Sequence, residues 1–176
     1  YVLGADGGSA AAGAAVANPD GGVLKVRRLS VSPGYAGREL VYRTDEHTFA
    51  SDYYNLLLVP PAEMLTELTR KRLGASGLFG HVVEPTSNLR PDYVLEGAVV
   101  KSYGDFSDPD QPRAVLECQF FLLRDTRLNY DVVLSKTYNE ATPLTERSPQ
   151  ALVKGLDTAL GLVLSALERD LAAALK

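Results

Sequence analysis

The stretch Ser148–Lys176, SPQALVKGLDTALGLVLSALERDLAAALK, decides the fold. Ser148 can accept a hydrogen bond from a free backbone N–H at a helix start, and Pro149 suits the first helical position, where its missing N–H costs nothing. From there Leu152, Leu156, Ala159, Leu160, Val163, Leu167, Leu171 and Ala174 recur at helical spacing, while Lys154, Asp157, Glu168, Arg169 and Asp170 mostly fall away from that stripe. Burying its six large side chains contributes at most about 1.5–3 kcal/mol each, against a net stability of only about 5–15 kcal/mol. The core therefore closes only if this helix packs on something. Gly155 and Ala159 would let its backbone approach closely.

The surface it packs on reads as a sheet. Tyr93–Tyr103 places Tyr93, Leu95, Gly97 and Val99 on one face, with Glu96 and Ser102 on the other. In Arg113–Leu123 one face is wholly apolar (Ala114, Leu116, Cys118, Phe120, Leu122) and the opposite one mixed (Val115, Glu117, Gln119, Phe121, Leu123). Val132–Tyr138 makes a third strand, and two short connections favour an antiparallel meander.

Upstream, Val23–Val31 is β-like, Ser32-Pro33-Gly34 is a turn, and Glu39–Arg43 with His47–Tyr54 form a hairpin around Thr44-Asp45-Glu46. Pro60-Pro61 introduces a helix over Pro61–Leu73, on which Met64, Leu65 and Leu68 make the apolar stripe. Glu63 and Glu67 sit early and Arg70, Lys71 and Arg72 late, as the helix dipole favours, and Gly74 is a natural stop. Val82-Val83 reads as a short strand. The expectation is one α+β domain over residues 1–176, a mostly antiparallel sheet with two helices packed on one face. The Gly/Ala-rich residues 4–22 read as a flexible linker. Within them Gly4-Ala5-Asp6-Gly7-Gly8-Ser9 has the wrong glycine spacing for a phosphate loop and no closing Lys-Ser/Thr, which argues against one.

Several function classes fall away. Net charge is −4 with a pI near 5.2, so the basic surplus expected of a nucleic-acid binder is absent. The one cysteine, Cys118, excludes an intramolecular disulfide and reads as an inert core thiol. His47 and His81 lie in different segments, so no His/Cys metal site assembles from neighbours; no cofactor is expected and no catalytic residues are placed. Asp105-Phe106-Ser107-Asp108-Pro109-Asp110 lacks the spacing and closing glutamate of an EF-hand and reads as a solvated hairpin connection. No apolar run approaches the roughly 20 residues of a membrane span, and the chain opens on Tyr1-Val2-Leu3, which already reads as a strand.

Asp52-Tyr53-Tyr54-Asn55-Leu56-Leu57-Leu58-Val59 resists a simple account. Alternation hides only half of these apolar groups on one face of a sheet. Either both faces are covered there, by the helices and the N-terminal segment, or Tyr53, Tyr54, Leu56, Leu57 and Leu58 form an exposed patch for a protein partner or lipid. The outward Val115, Phe121 and Leu123 pose the same choice.

The order of elements resembles the ABC-type transport auxiliary lipoprotein family, whose paraquat-inducible type works beside an MCE (mammalian cell entry) protein. The resemblance runs through Tyr1-Val2-Leu3, Leu40-Val41-Tyr42-Arg43, the tyrosine-rich strand leading to Pro60-Pro61, and Met64-Leu65-Thr66-Glu67-Leu68. It continues through Gly77-Leu78-Phe79, Pro91-Asp92-Tyr93-Val94-Leu95-Glu96-Gly97 and the final alanine/leucine helix. One departure is the tryptophan that family members commonly carry before the proline-led helix; this chain has none, and its space falls to Leu57 or Leu58. The resemblance implies a lipidated cysteine upstream of Tyr1 and a periplasmic lipoprotein anchored to the outer membrane of a Gram-negative bacterium. It implies a non-catalytic adaptor or anchor for an MCE/ABC-type lipid or solvent transport system, with phospholipid as a further contact and a homo-oligomer as a further state. The rival readings are a carrier that encloses a lipid and a hydrolase whose site the fold assembles.

Overall fold

The computed structural model describes residues 1–4 and 18–176, so the linker reading lies mostly outside the described residues. Its last part, Asn18 to Gly22, makes a turn: the Asn18 side chain accepts from Asp20 N at 3.2 Å, and a Cβ on Gly21 would meet Phe79 Cα at 2.9 Å.

Three long strands, β6 (Tyr93–Asp105), β7 (Arg113–Asp125) and β8 (Tyr130–Pro143), form the expected antiparallel meander. The other edge of β6 is shared by β1 (Val23–Val26), β2 (Ser30–Val31) and β3 (Glu39–Arg43), all parallel to it. Leu24 sits opposite Tyr93, Ser30 opposite Ala98 and Tyr42 opposite Gly104. Outside them, β5 (His81–Val83) runs parallel to β1, and β4 (Phe49–Leu56) antiparallel to β3. The sheet is mostly antiparallel but mixed. The stretch expected as one strand, Val23–Val31, is two: after Arg27 N bonds Leu95 O at 2.9 Å, the chain leaves the ladder at Arg28 and rejoins at Ser30.

Two helices complete the α+β fold. In α2 (Pro149–Ala174), Ser148 Oγ accepts from Ala151 N at 3.1 Å, the cap the sequence called for. Its buried face (Leu152, Leu156, Ala159, Leu160, Val163, Leu167, Leu171) packs in one core with Ala114, Leu116, Cys118, Phe120 and Leu122 of β7. Val153 and Leu164 widen the stripe, whereas Ala174 is only half-buried. Gly155 is required at its position, because a Cβ there would lie 2.8 Å from that of Ala114 and would overlap Leu144. By length and composition α2 could cross a membrane, contrary to the expectation that no run is long enough. Half of its most apolar stretch is buried inside the protein.

The other helix, α1 (Pro61–Ala75), runs past the expected Leu73; Gly74 lies within its last turn, and Ser76 caps it with N–H to Leu73 O at 3.3 Å. An Arg72–Glu168 pair at 2.9 Å ties the two helices together. On the sheet's opposite face Val115, Phe121 and Leu123 are half-buried, interleaved with Lys101–Glu117 (2.6 Å) and Arg27–Glu96 ion pairs.

Candidate functional site

The stretch from Asp52 to Val59 begins on β4, an edge strand, and runs on past its end at Leu56. The ladder of β4 with β3 is regular from Phe49–Arg43 to Asp52–Leu40; the next pair is Leu56–Glu39. Tyr53, Tyr54 and Asn55 therefore have no ladder partner and loop outward as an extended bulge.

Asp52 holds this excursion. Its Oδ1 accepts from Tyr54 N (3.0 Å) and Asn55 N (3.1 Å), and its Oδ2 from Asn55 Nδ2 (2.8 Å) and the Tyr42 hydroxyl (3.0 Å). Burial raises the Asp52 pKa, but the hydrogen bonds outweigh burial and leave it below the ordinary carboxylate range. Burial, followed by the bond to Asp52, drives the Tyr42 phenol well above its ordinary value, so Tyr42 stays a donor. Tyr42 is itself stacked on Phe106, with ring centroids 5.1 Å apart.

The sequence had named Tyr53, Tyr54, Leu56, Leu57 and Leu58, and the structure divides them. Tyr53 is 78% exposed, Tyr54 97% and Leu58 66%, with Leu56 at the margin of exposure; Leu57 is buried in the core to which Met64 and Leu65 also belong. Leu57, not Leu58, thus fills interior space. The covering that would have hidden the stretch is partial. The N-terminal segment does run alongside, with Tyr1 N to Leu56 O and Leu58 N to Tyr1 O both 2.8 Å, and it buries Leu3 over Met64. Tyr1 and Val2, however, add exposed apolar surface of their own. The sequence did not reveal Asp52 as the residue that holds the bulge. The available signal was an Asp preceding Tyr-Tyr-Asn, since an aspartate readily bonds the backbone two residues on.

The remaining sequence candidates have structural tasks. Burial pushes the Cys118 thiol up to about 12, which suppresses the thiolate. Asp105, the first acid of the loop weighed for calcium, is buried. It takes Arg43 through Nε (3.0 Å) and Nη2 (2.5 Å), fixing β3 on β6; burial opposes ionisation there, but these bonds and those from Ser107 bring its pKa down to about 2. Among the described residues no His, Cys, Asp and Glu group gathers as a metal site. A crevice between sheet and helices, lined by Leu40, Leu57, Leu152 and Leu156, holds about 20 Å³. That is room for one water and too little for an acyl chain.

The model of the family described as "ABC-type transport auxiliary lipoprotein component" matches residues 1–168. A Xanthomonas campestris protein of family DUF330, 22% identical, superposes with a TM-score of 0.73 over 83% of this chain and 81% of its own. An uncharacterized protein, 18% identical, does so with a TM-score of 0.72 over 85% and 92%. A hypothetical protein of Chlamydia trachomatis, 14% identical, reaches 0.54 over 86% and 94%. At these identities the structural likenesses establish the fold. A search of the curated proteins finds no match.

Proposed function

We propose, from the premise that the chain belongs to the ABC-type transport auxiliary lipoprotein family, that it is a non-catalytic adaptor of an MCE/ABC-type envelope lipid or solvent transport system. In this reading it faces the periplasm from a lipid anchor on the outer membrane and docks its MCE-domain partner through Tyr53, Tyr54, Leu56 and Leu58. The observation that carries the proposal is the Asp52-held bulge, which keeps Tyr53 and Tyr54 almost wholly in water on an edge strand. Tyrosine is a favoured interface anchor because it presents a large, stiff apolar ring with a hydroxyl at its tip, and fixing the backbone in advance lowers the ordering cost of binding. The half-buried apolar groups on the open sheet face are candidates for a wider contact.

The test is affinity for the purified MCE-domain protein, by calorimetry or surface plasmon resonance. Tyr53→Ala with Tyr54→Ala should weaken binding by about thirtyfold, the effect of losing one central anchor, with an unchanged circular dichroism spectrum. Unaltered affinity in that variant would show that the patch is not the interface.

A further inference from the structure

The tyrosine bulge has two ends, and Asp52 holds the first of them. The second is where the chain returns to the ladder, with Leu56 opposite Glu39. From there Leu56–Leu58 is gripped on both sides. Toward β3, Leu57 N donates to Arg38 O and Arg38 Nε to Leu57 O, both at 2.7 Å. On the outer side lies the segment Tyr1–Leu3, where Tyr1 N donates to Leu56 O and Leu58 N to Tyr1 O, both at 2.8 Å. The same segment reaches into the bulge. The Tyr1 hydroxyl donates to Asn55 Oδ1 at 3.2 Å, and Asn55 Nδ2 donates to Asp52 Oδ2 at 2.8 Å. A line of bonds thus runs from Tyr1 through Asn55 to the carboxylate that shapes the bulge.

One residue fastens this segment to the domain. Tyr1 and Val2 are exposed, whereas Leu3 is buried in the main core, and its N–H donates to Met64 Sδ of α1 at 3.3 Å. A thioether is a weak acceptor, so the burial of Leu3 carries most of the hold. A stretch pinned by one leucine and two backbone bonds opens at far lower cost than the whole domain. When it opens, Leu56 O and Leu58 N lose their partners together, and Asn55 loses the Tyr1 hydroxyl.

We infer that Tyr1–Leu3 is a strap that sets the tyrosine bulge, with Leu3 as its latch. With Leu3 seated, the strap fixes the return of the chain at Leu56 and steadies Asn55, so Tyr53 and Tyr54 are held in one presentation. With Leu3 out, the bulge keeps only its Asp52 end. Leu3 is therefore a positioning residue for a surface it does not touch. The inference deepens the adaptor reading and rests on it only for the consequence in binding. A partner that engages the ordered bulge binds with an apparent affinity that falls as the seated fraction falls. By reciprocity, the bound partner holds the strap down.

Amide exchange followed by NMR on the full chain separates strap, bulge and partner. Leu3→Ala should quicken exchange at the Leu58 amide, which donates to Tyr1 O, about tenfold. The Tyr54 and Asn55 amides should quicken about threefold, while β7 amides and the circular dichroism spectrum stay as in the wild type. Tyr1→Phe leaves Leu3 seated and removes only the bond to Asn55, so it should quicken Asn55 about twofold and leave Leu58 unchanged. Leu3→Ala should also bind the purified MCE-domain protein about threefold more weakly, although both tyrosines are intact. The inference fails if Leu58 is unprotected in the wild type, or if Leu3→Ala quickens Leu58 alone. If Tyr53→Ala with Tyr54→Ala weakens binding and Leu3→Ala does not, the bulge is the interface and the strap does not govern it. If all three amides respond but neither variant alters binding, the strap stands and the adaptor reading falls.

Discussion

The central strand β7 and the edge strand β4 carry similar amounts of apolar and aromatic chemistry, and the protein treats them oppositely. Along β7 every second side chain is buried to within 2% of complete, from Ala114 through Leu122. Along β4 and just beyond it, Tyr53, Tyr54 and Leu58 stand in water and only Leu57 turns inward. The difference lies in the neighbours. β7 is paired on both sides and roofed by α2, so strict alternation commits one face to the core. β4 is paired on one side only, and after Asp52 three residues leave the ladder. Hydrophobicity therefore fixes burial only where the backbone is held in register; at a free edge a local polar group can redirect it.

The comparison breaks most violently on the β7 side. Leu156 is buried in the core that α2 shares with β7, so Leu156→Asp would place an unpaired carboxylate there. The expected cost of about 4 kcal/mol or more is a large share of the whole stability, and the domain should be unfolded or melt far lower by circular dichroism. A melting curve like the wild type's would show that the stripe does not close the core. A milder wedge goes in at Gly155. In Gly155→Val the new side chain must push against Leu144 and Ala114, for an expected loss of about 1–3 kcal/mol, read as a lowered midpoint in urea.

The same contrast explains what could be read without coordinates. The α2 stripe, its Ser148 cap and the inward face of β7 follow from periods of 3.6 and 2, which a sequence displays openly. Parallel pairing of β1, β2 and β3 on β6 was not legible, since three short segments of four, two and five residues bear no local mark of their common partner. The tyrosines at 53 and 54 were legible as a problem but not as a bulge. Alternation assumes an unbroken ladder, and the register shift depends on a side-chain carboxylate finding two backbone N–H groups. Gly74 misled for a related reason: a glycine permits a helix to end without compelling it, and the bond from Ser76 to Leu73 carried the turn onward.

The sharpest and smallest test of the comparison is therefore at Asp52, where β4 departs from β7-like behaviour. Asp52→Ala removes the acceptors of the Tyr54 and Asn55 amides, the Asn55 side chain and the Tyr42 hydroxyl. The residue is only partly buried, so water replaces much of what is lost, and the expected destabilisation is about 1 kcal/mol. Hydrogen exchange at the Tyr54 and Asn55 amides should quicken while amides of β7 keep their protection. Asp52→Asn retains the oxygen that serves the two amides and should restore most of that protection. If the carboxylate does hold the bulge, Asp52→Ala must also weaken partner binding although both tyrosines are still present, because their presentation and not their identity has changed. Exchange rates at 54 and 55 that do not respond to Asp52→Ala would mean that the ladder itself sets the excursion. The free edge would then need no polar group to turn its tyrosines toward water.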